Sequence, residues 1–206
     1  MDATESNAWF ERTIGNREVM AVFRGYGVSR TLELANRAWA AGIKLVEVPI
    51  QTPADLEALE ATALLGTRSG RVVGAGTVTT RGQVEQAKEH GAAFVVSPGL
   101  DTSIVAESLA AGLPPLPGVS SASELQVVRG LGLRWVKVFP AAVLGASWFS
   151  ILHGPFPEMR FVATGGLTAA TAGEFLDAGA RVVGVGSAIE NDAELAALAS
   201  LVSPDR

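Results

Sequence analysis

The chain contains no cysteine and only two histidines, His90 and His153, among its 206 residues. The absence of thiols excludes disulfide bridges, thiolate zinc sites, iron–sulfur clusters and cysteine nucleophiles. The two histidines lie far apart in the sequence and lack the spacing of a helical metal-binding motif, so a histidine-based metal site is not expected. We therefore expect a metal-poor protein, with an all-carboxylate metal site as the alternative that these absences leave open.

Basic residues are also scarce. Lys and Arg number 16 against 21 Asp and Glu, the net charge is −5, and no basic cluster is present, which argues against nucleic-acid binding. The acidic, polar N-terminus does not resemble a signal peptide. The longest uncharged stretch, 138–157, is interrupted by Pro140 and Gly145 and is a poor membrane helix. We expect a soluble cytoplasmic protein with no nucleic-acid or membrane partner.

One pattern recurs along the chain: a helical stretch, a glycine, and a short run rich in β-branched residues. Glycine suits the left-handed end of a helix, and the run that follows suits a buried parallel strand. Eight such runs fall within segments 20–25, 38–48, 71–76, 87–97, 109–118, 129–139, 160–166 and 176–186. Amphipathic helical segments lie between them, at 31–41, 54–65, 83–89, 121–129 and 168–178.

Eight regular repeats without a linker predict a single-domain α/β protein with a (β/α)8 TIM barrel at residues 19–206. A helix within residues 1–18 would precede the first strand and cover the bottom of the barrel, and the last helix would span about Asp192–Leu201. An open doubly wound sheet is the alternative. It normally carries GxGxxG after its first strand, and here the chain reads Arg24-Gly25-Tyr26-Gly27.

Two charged residues stand inside predicted strands. Alternation in Trp135-Val136-Lys137-Val138 sends Lys137 to the barrel interior, and the same argument sends Glu47 inward from the second strand. A lysine desolvated among aromatic side chains favours the neutral amine, which can attack a carbonyl. The two side chains form either a structural ion pair or a Schiff-base lysine beside an acid/base carboxylate, and we favour the second interpretation.

Glycine-rich ends of the seventh and eighth predicted strands indicate a phosphate site. Barrels often bind phosphate with backbone N–H groups at these two places. The residues concerned are Gly165, Gly166, Gly186 and Ser187. Arg24 ends the first strand and can bind a substrate carboxylate. The turns GAGT after the third strand and SPG after the fourth are weaker signals.

Taken together, these residues resemble the bacterial 2-keto-3-deoxy-6-phosphogluconate (KDPG) / 4-hydroxy-2-oxoglutarate (KHG) aldolase family. The resemblance covers about Met20 to Ala188 and rests on motifs in family order: VEVPIQTP, GAGTV, VVSPG, PGVSSASE, VKVFPA, GPFP, TGG and GVGSA. It implies a class I aldolase on a (β/α)8 barrel, usually trimeric, that needs no metal. It also implies a phosphorylated keto-deoxy sugar acid as substrate and pyruvate as a product.

The resemblance assigns roles to individual residues. Lys137 would form the Schiff base, and Glu47 would act as the general acid/base through a water molecule. Thr77 and Thr164 would contact the keto acid and the sugar hydroxyls. Pro98 and Phe139 would line the pocket for the pyruvoyl methyl group. The distal phosphate would be bound by Gly165, Gly166, Gly186 and Ser187.

One departure concerns the carboxylate site. Many members carry an arginine just after the second strand, where this chain has Gln51. Phe23-Arg24-Gly25 is similar to members that use an arginine at the end of the first strand, so Arg24 takes that role. The segment EVPIQTP is also similar to phosphogalactonate-type aldolases, which leaves the configuration of the substrate at C4 open. Another phosphate-binding barrel, such as an isomerase or decarboxylase, and a catalytically silent sugar-phosphate binding protein are the alternatives.

Overall fold

The structure is a computed structural model, and it describes residues 1–15 and 19–202. Strands and helices alternate along the chain. The strands are β1 (Val19–Val22), β2 (Leu45–Pro49), β3 (Val72–Gly76), β4 (Val95–Val96), β5 (Pro115–Leu116), β6 (Gly118–Val119), β7 (Trp135–Val138), β8 (Arg160–Thr164) and β9 (Ala180–Val185). The helices are α1 (Ala3–Thr13), α2 (Gly27–Ala40), α3 (Pro53–Arg68), α4 (Arg81–Glu89), α5 (Thr102–Ala111), α6 (Ala122–Gly130), α7 (Ala141–Leu144), α8 (Ser147–His153), α9 (Ala169–Asp177) and α10 (Asp192–Leu201), with a 3₁₀ helix at Ser187–Glu190.

All strand pairs are parallel, in the order β5-β4-β3-β2-β1-β9-β8-β7-β6. The two terminal strands of this order, β5 and β6, follow one another directly in the chain, so the sheet curls into a nearly closed barrel. The predicted TIM-barrel fold is confirmed, and the open doubly wound sheet is not observed.

The fifth predicted strand is divided in two, a detail that the sequence analysis did not anticipate. Pro117 separates β5, which pairs with β4, from β6, which pairs with β7. Proline has no N–H to donate to a ladder, but its carbonyl still accepts a hydrogen bond from the Lys137 amide at 2.9 Å. One continuous segment therefore closes the barrel while giving a partner to each neighbour.

Side-chain alternation divides the buried residues into two layers. Residues such as Val46, Val136 and Val138 belong to the large cluster between the sheet and the helices. Leu45 and Trp135 belong to a smaller cluster inside the barrel. This alternation is the one expected for strands covered on both faces.

Helix α1 closes the bottom of the barrel. Its Phe10 is 1% exposed and joins the interior cluster, where its ring stacks on Trp135 at a centroid distance of 5.7 Å. Asn7 attaches the helix to the loop before β7 by donating to the Gly132 carbonyl at 2.8 Å and accepting from the Arg134 amide at 2.9 Å. The predicted junction between residues 18 and 19 and the end of the barrel at 206 involve positions outside the described residues.

Helices α7 and α8 fill the connection after β7, where no helix was predicted. They interrupt the uncharged stretch 138–157, and each is at most seven residues long. Within the described residues, no helix combines the length and the apolar character needed to cross a membrane.

Candidate active site

A cavity of about 500 Å³ opens at the carboxyl ends of the strands. Ten of the eleven predicted site residues line it: Arg24, Thr77, Pro98, Lys137, Phe139, Thr164, Gly165, Gly166, Gly186 and Ser187. Its volume falls within the range of small-molecule pockets, roughly 300–1,000 Å³. Because the ten residues come from six separate strand ends, only closure of the barrel brings them together.

Lys137 forms an ion pair with Glu47, the predicted site residue that does not itself line the cavity. Nζ lies 3.4 Å from Oε1, and the side chains are 6% and 0% exposed. Strands β1, β9 and β8 separate β2 from β7 in the sheet, so the two side chains meet across the barrel interior. The lysine reaches the cavity, and the glutamate lies behind it as the group that can exchange a proton with the amine.

Gly76 makes room for the Glu47 carboxylate. A Cβ at residue 76 would lie 2.2 Å from Oε1 and 2.7 Å from Cγ and Cδ. The other carboxylate oxygen, Oε2, is buried and has no hydrogen-bond partner among the described residues. The carboxylate therefore keeps an acceptor available beyond its contact with Lys137.

A second small residue makes room for Thr164 at the end of β8. Thr164 pairs in register with Gly184 of β9, where a Cβ would lie 2.5 Å from Thr164 Cγ2. The Thr164 hydroxyl is buried without a partner among the described residues, although the residue lines the cavity. It presents a hydroxyl that can both donate and accept a hydrogen bond.

Phe139 and Pro98 give the cavity apolar walls. The Phe139 ring centroid lies 5.4 Å from Lys137 Nζ, which places the amine over an aromatic face. A Cβ at Gly165 would approach this ring to 2.9 Å, so the glycine lets the loop after β8 pass close to it. These apolar walls limit the hydration of Lys137.

The loops after β8 and β9 form the glycine-rich part of the rim. Gly165 and Gly166 have φ values of 99° and 78°, which favour glycine, and Ser187 opens the 3₁₀ helix. The backbone amides of Gly166 and Ser187 donate no hydrogen bond within the described part of the chain. Such free amides are suitable donors for an anion such as phosphate.

Arg24 lies on the rim just after β1, and its Nη1 donates a hydrogen bond to Oε1 of Gln51. Gln51 occupies the other position that the sequence analysis considered for binding the carboxylate. The structure places these two positions in contact with each other, in the segments that follow the neighbouring strands β1 and β2.

Tyr26 also lines the cavity, and its hydroxyl donates to Glu190 Oε1 at 2.6 Å. Arg30 donates to the other Glu190 oxygen at 3.1 Å. Desolvation, followed by the hydrogen bond and charge of Glu190, raises the pKa of Tyr26 to about 12. The hydrogen bond from Tyr26 is the largest of the interactions that lower the pKa of Glu190. This contact joins the start of α2 to the 3₁₀ helix that carries Ser187.

Sequence reasoning missed several residues of the site. Besides Tyr26, the cavity is lined by Val22, Leu167 and Gly184. Val22 pairs in register with Glu47. Strand alternation would have placed it on the same face as Arg24, which lies two residues later, and this was the available sequence signal. The roles of Gly76 and Gly184 depend on side chains from other strands, and a single sequence carries no signal for such contacts.

Comparisons with known proteins show what the chain is similar to. The family model for KDPG and KHG aldolases matches residues 10–198. A 2-dehydro-3-deoxy-phosphogluconate aldolase of Treponema pallidum is 41% identical over 142 residues, which are 68% of this chain and 66% of that protein.

Two solved structures are similar over nearly the whole chain. The KDPG aldolase of Zymomonas mobilis ZM4, solved with 3-phosphoglycerate, has a TM-score of 0.82 and 29% identity, covering 94% of this chain and 92% of that one. The KDPG aldolase of Legionella pneumophila, solved with pyruvate captured as a covalent carbinolamine, has a TM-score of 0.78 and 32% identity, covering 92% and 94%.

Proposed function

Because the chain belongs to the KDPG and KHG aldolase family, a family of carbon–carbon lyases, we propose that it cleaves a 2-keto-3-deoxy-6-phospho sugar acid through an imine on Lys137. The products would be pyruvate and D-glyceraldehyde 3-phosphate. 4-Hydroxy-2-oxoglutarate, cleaved to pyruvate and glyoxylate, is a second candidate substrate. The observation that carries the proposal is the buried pair of Lys137 and Glu47 beside the cavity, with Nζ and Oε1 separated by 3.4 Å.

Imine formation begins at Lys137. Its amine must lose a proton before it attacks the C2 carbonyl, and the Glu47 carboxylate accepts its hydrogen bond and can take that proton. Attack gives a carbinolamine. The protonated Glu47 then gives its proton to the carbinolamine hydroxyl, which leaves as water, so that an iminium ion forms and the carboxylate is restored. Phe139 and Pro98 line the cavity and would exclude bulk water from the reacting carbon.

Cleavage then uses the iminium as an electron sink. Glu47, acting through a water molecule, takes the proton of the C4 hydroxyl, and a carbonyl forms at C4 as the C3–C4 bond breaks. The bonding pair moves into a C2–C3 double bond and neutralises the iminium nitrogen, which gives an enamine. Protonation at C3 and hydrolysis of the imine release pyruvate and restore the lysine.

Groups that line the cavity suit the two charged ends of this substrate. Arg24 would pair with the carboxylate of the pyruvoyl end. The amides of the glycine-rich loops, at Gly166 and Ser187, would bind the phosphate of the other end. Thr77 and Thr164 lie on the cavity wall and would bond the keto acid and the hydroxyl groups.

The first experiment is trapping of the imine with borohydride. The purified protein is incubated with pyruvate and sodium borohydride, and the adduct is located by peptide mass mapping. We expect one pyruvate-derived group on Lys137, because only this one of the three lysines is buried beside the cavity. Exposed Lys44 and Lys88 serve as internal controls for non-specific alkylation.

The variant Lys137→Arg should form no adduct and release no pyruvate from the sugar acid. An unmodified Lys137 in folded protein would refute the class I mechanism and favour an isomerase or decarboxylase on the same fold. An adduct without turnover of any keto-deoxy sugar acid would instead favour a silent binding protein.

The assembly, location and metal requirement follow from the same proposal. We propose a cytoplasmic location from the composition, and a homotrimer that needs no metal ion because the family resemblance implies it. Light scattering after gel filtration measures the mass of the assembly against 21.3 kDa for one chain. Activity that persists in a chelator such as EDTA supports the metal-free mechanism, and activity lost in EDTA and restored by a divalent ion contradicts it.

A further inference from the structure

The partner of Arg24 is a neutral amide and not a carboxylate. Nη1 donates to Gln51 Oε1, and within the described residues no acidic side chain lies in salt-bridge distance of Arg24. An amide acceptor orients a guanidinium without neutralising its charge. With respect to the described residues, four of the five N–H donors of Arg24 and its full positive charge remain for another ligand.

Hydrogen bonds hold the backbone of Gln51 and its neighbours in place. Its backbone amide donates to Asp55 Oδ2 at 3.2 Å, and the amide and hydroxyl of Thr52 donate to the same oxygen at 2.9 Å each. This capping box begins helix α3. On the other side, the Gln83 side chain donates to the Ile50 carbonyl at 2.9 Å. The amide that meets Arg24 therefore projects from a segment fixed at both ends.

We infer that Gln51 is a positioning residue for the substrate carboxylate: it holds Arg24 at the cavity rim with its charge uncompensated. The inference rests on the proposed function, since it takes a keto acid as the ligand. A neutral side chain at position 51 suits this role. A second cation at position 51 would repel Arg24. An anion would occupy the guanidinium donors that the substrate carboxylate needs.

The test uses two substitutions at Gln51. Gln51→Met keeps the length of the side chain and removes the acceptor, and Gln51→Glu adds a charge that competes with the substrate. KM and kcat are measured for cleavage of the sugar acid. The pyruvate concentration that gives half-maximal trapping is measured with borohydride. We expect Gln51→Met to raise both concentrations about 3- to 10-fold with kcat nearly unchanged, the range of one lost hydrogen bond.

Gln51→Glu should raise them further, and the excess over Gln51→Met should shrink in high salt because the new ion pair is exposed and screened. A merely structural role of Gln51 would not produce this salt dependence. Gln86→Met and Gln86→Glu are matched controls at an exposed glutamine on α4 away from the cavity, and they should leave both concentrations unchanged.

The double variant Arg24→Ala/Gln51→Met separates positioning from direct contact. If Gln51 acts through Arg24, Gln51→Met causes no further increase in KM or in half-saturating pyruvate once Arg24 is alanine. An equal increase in both backgrounds, or no increase with Gln51→Glu, overturns the inference. Failure of the proposed function is visible separately, as the absence of any adduct on Lys137 in the unaltered protein. In that case pyruvate binding by the same variants is compared through the increase in unfolding temperature that pyruvate causes, which does not require an imine.

Discussion

Substitution of Gly76 by alanine should displace Glu47 without touching either charged residue. The new methyl group would lie 2.2 Å from Oε1 and 2.7 Å from Cγ, whereas a relaxed contact needs about 3.5 Å. Gly76 pairs in register with Pro49 inside the parallel sheet, so the backbone of β3 has little freedom to withdraw. The carboxylate must therefore move by roughly 1 Å, and the contact of Oε1 with Lys137 Nζ, already 3.4 Å long, is lost.

The expected effect on turnover is large. A misplacement of about 1 Å in a reacting group costs on the order of 100-fold in rate. We expect kcat for release of pyruvate, measured with a coupled lactate dehydrogenase assay, to fall by about that factor. Overpacking of a dense site also lowers the free energy of unfolding by about 1–3 kcal/mol, which denaturant titration measures. A loss of this size leaves the variant folded.

Gly82→Ala is the matched control for this experiment. Gly82 lies in helix α4, where a Cβ would meet nothing within 4 Å. The control should keep full activity and gain up to about 1 kcal/mol in the free energy of unfolding, since alanine favours a helix. If Gly76→Ala is folded and turns over at the rate of the unaltered protein, the position of the Glu47 carboxylate does not matter. Its assignment as the acid/base group would then be wrong.

Two further predictions concern the rim and the bottom of the barrel. Tyr26 is the one tyrosine of the chain, so absorbance of tyrosinate titrates it alone, with a midpoint near pH 12 that Glu190→Gln should move toward 10. Because this pKa is raised on folding, the stability that it contributes is complete below about pH 10 and is lost as the pH rises through about 12. An unchanged midpoint in Glu190→Gln would contradict the contact between Tyr26 and Glu190. Phe10→Ala should lower the free energy of unfolding by about 3–5 kcal/mol in urea and leave trapping at Lys137 intact, since the ring packs on Trp135 at the end opposite the cavity. A loss under 1 kcal/mol would show that α1 does not plug the barrel.

The sequence was sufficient to predict the repeating architecture and the end of the barrel at which the candidate site lies. Regular βα spacing predicts the barrel, and the period of two within a strand predicts that Lys137 and Glu47 point inward. Position along a parallel strand also indicates the carboxyl end, where barrel sites lie. These properties are local, so a single chain of residues records them.

Contacts between distant elements left no such local record. The split of the fifth strand depends on which neighbours pair on either side of Pro117, and the need for glycine at 76 depends on where Glu47 lies in the closed barrel. Likewise, the contact of Arg24 with Gln51 follows from the pairing of β1 with β2. The resemblance to a family supplied the two residues separately, and only the structure joins them.

The surroundings of the Lys137–Glu47 pair favour the proposed catalytic site over a structural ion pair. A buried pair that only stabilises a core must satisfy its remaining polar atoms, because each unsatisfied one costs about 1–3 kcal/mol. Here Glu47 Oε2 and the Thr164 hydroxyl have no partner among the described residues, and glycines stand where side chains would have displaced both groups. The chain thus maintains acceptors and space beside a lysine that reaches the cavity, an arrangement that costs stability unless a substrate, or the water it reacts with, uses those atoms.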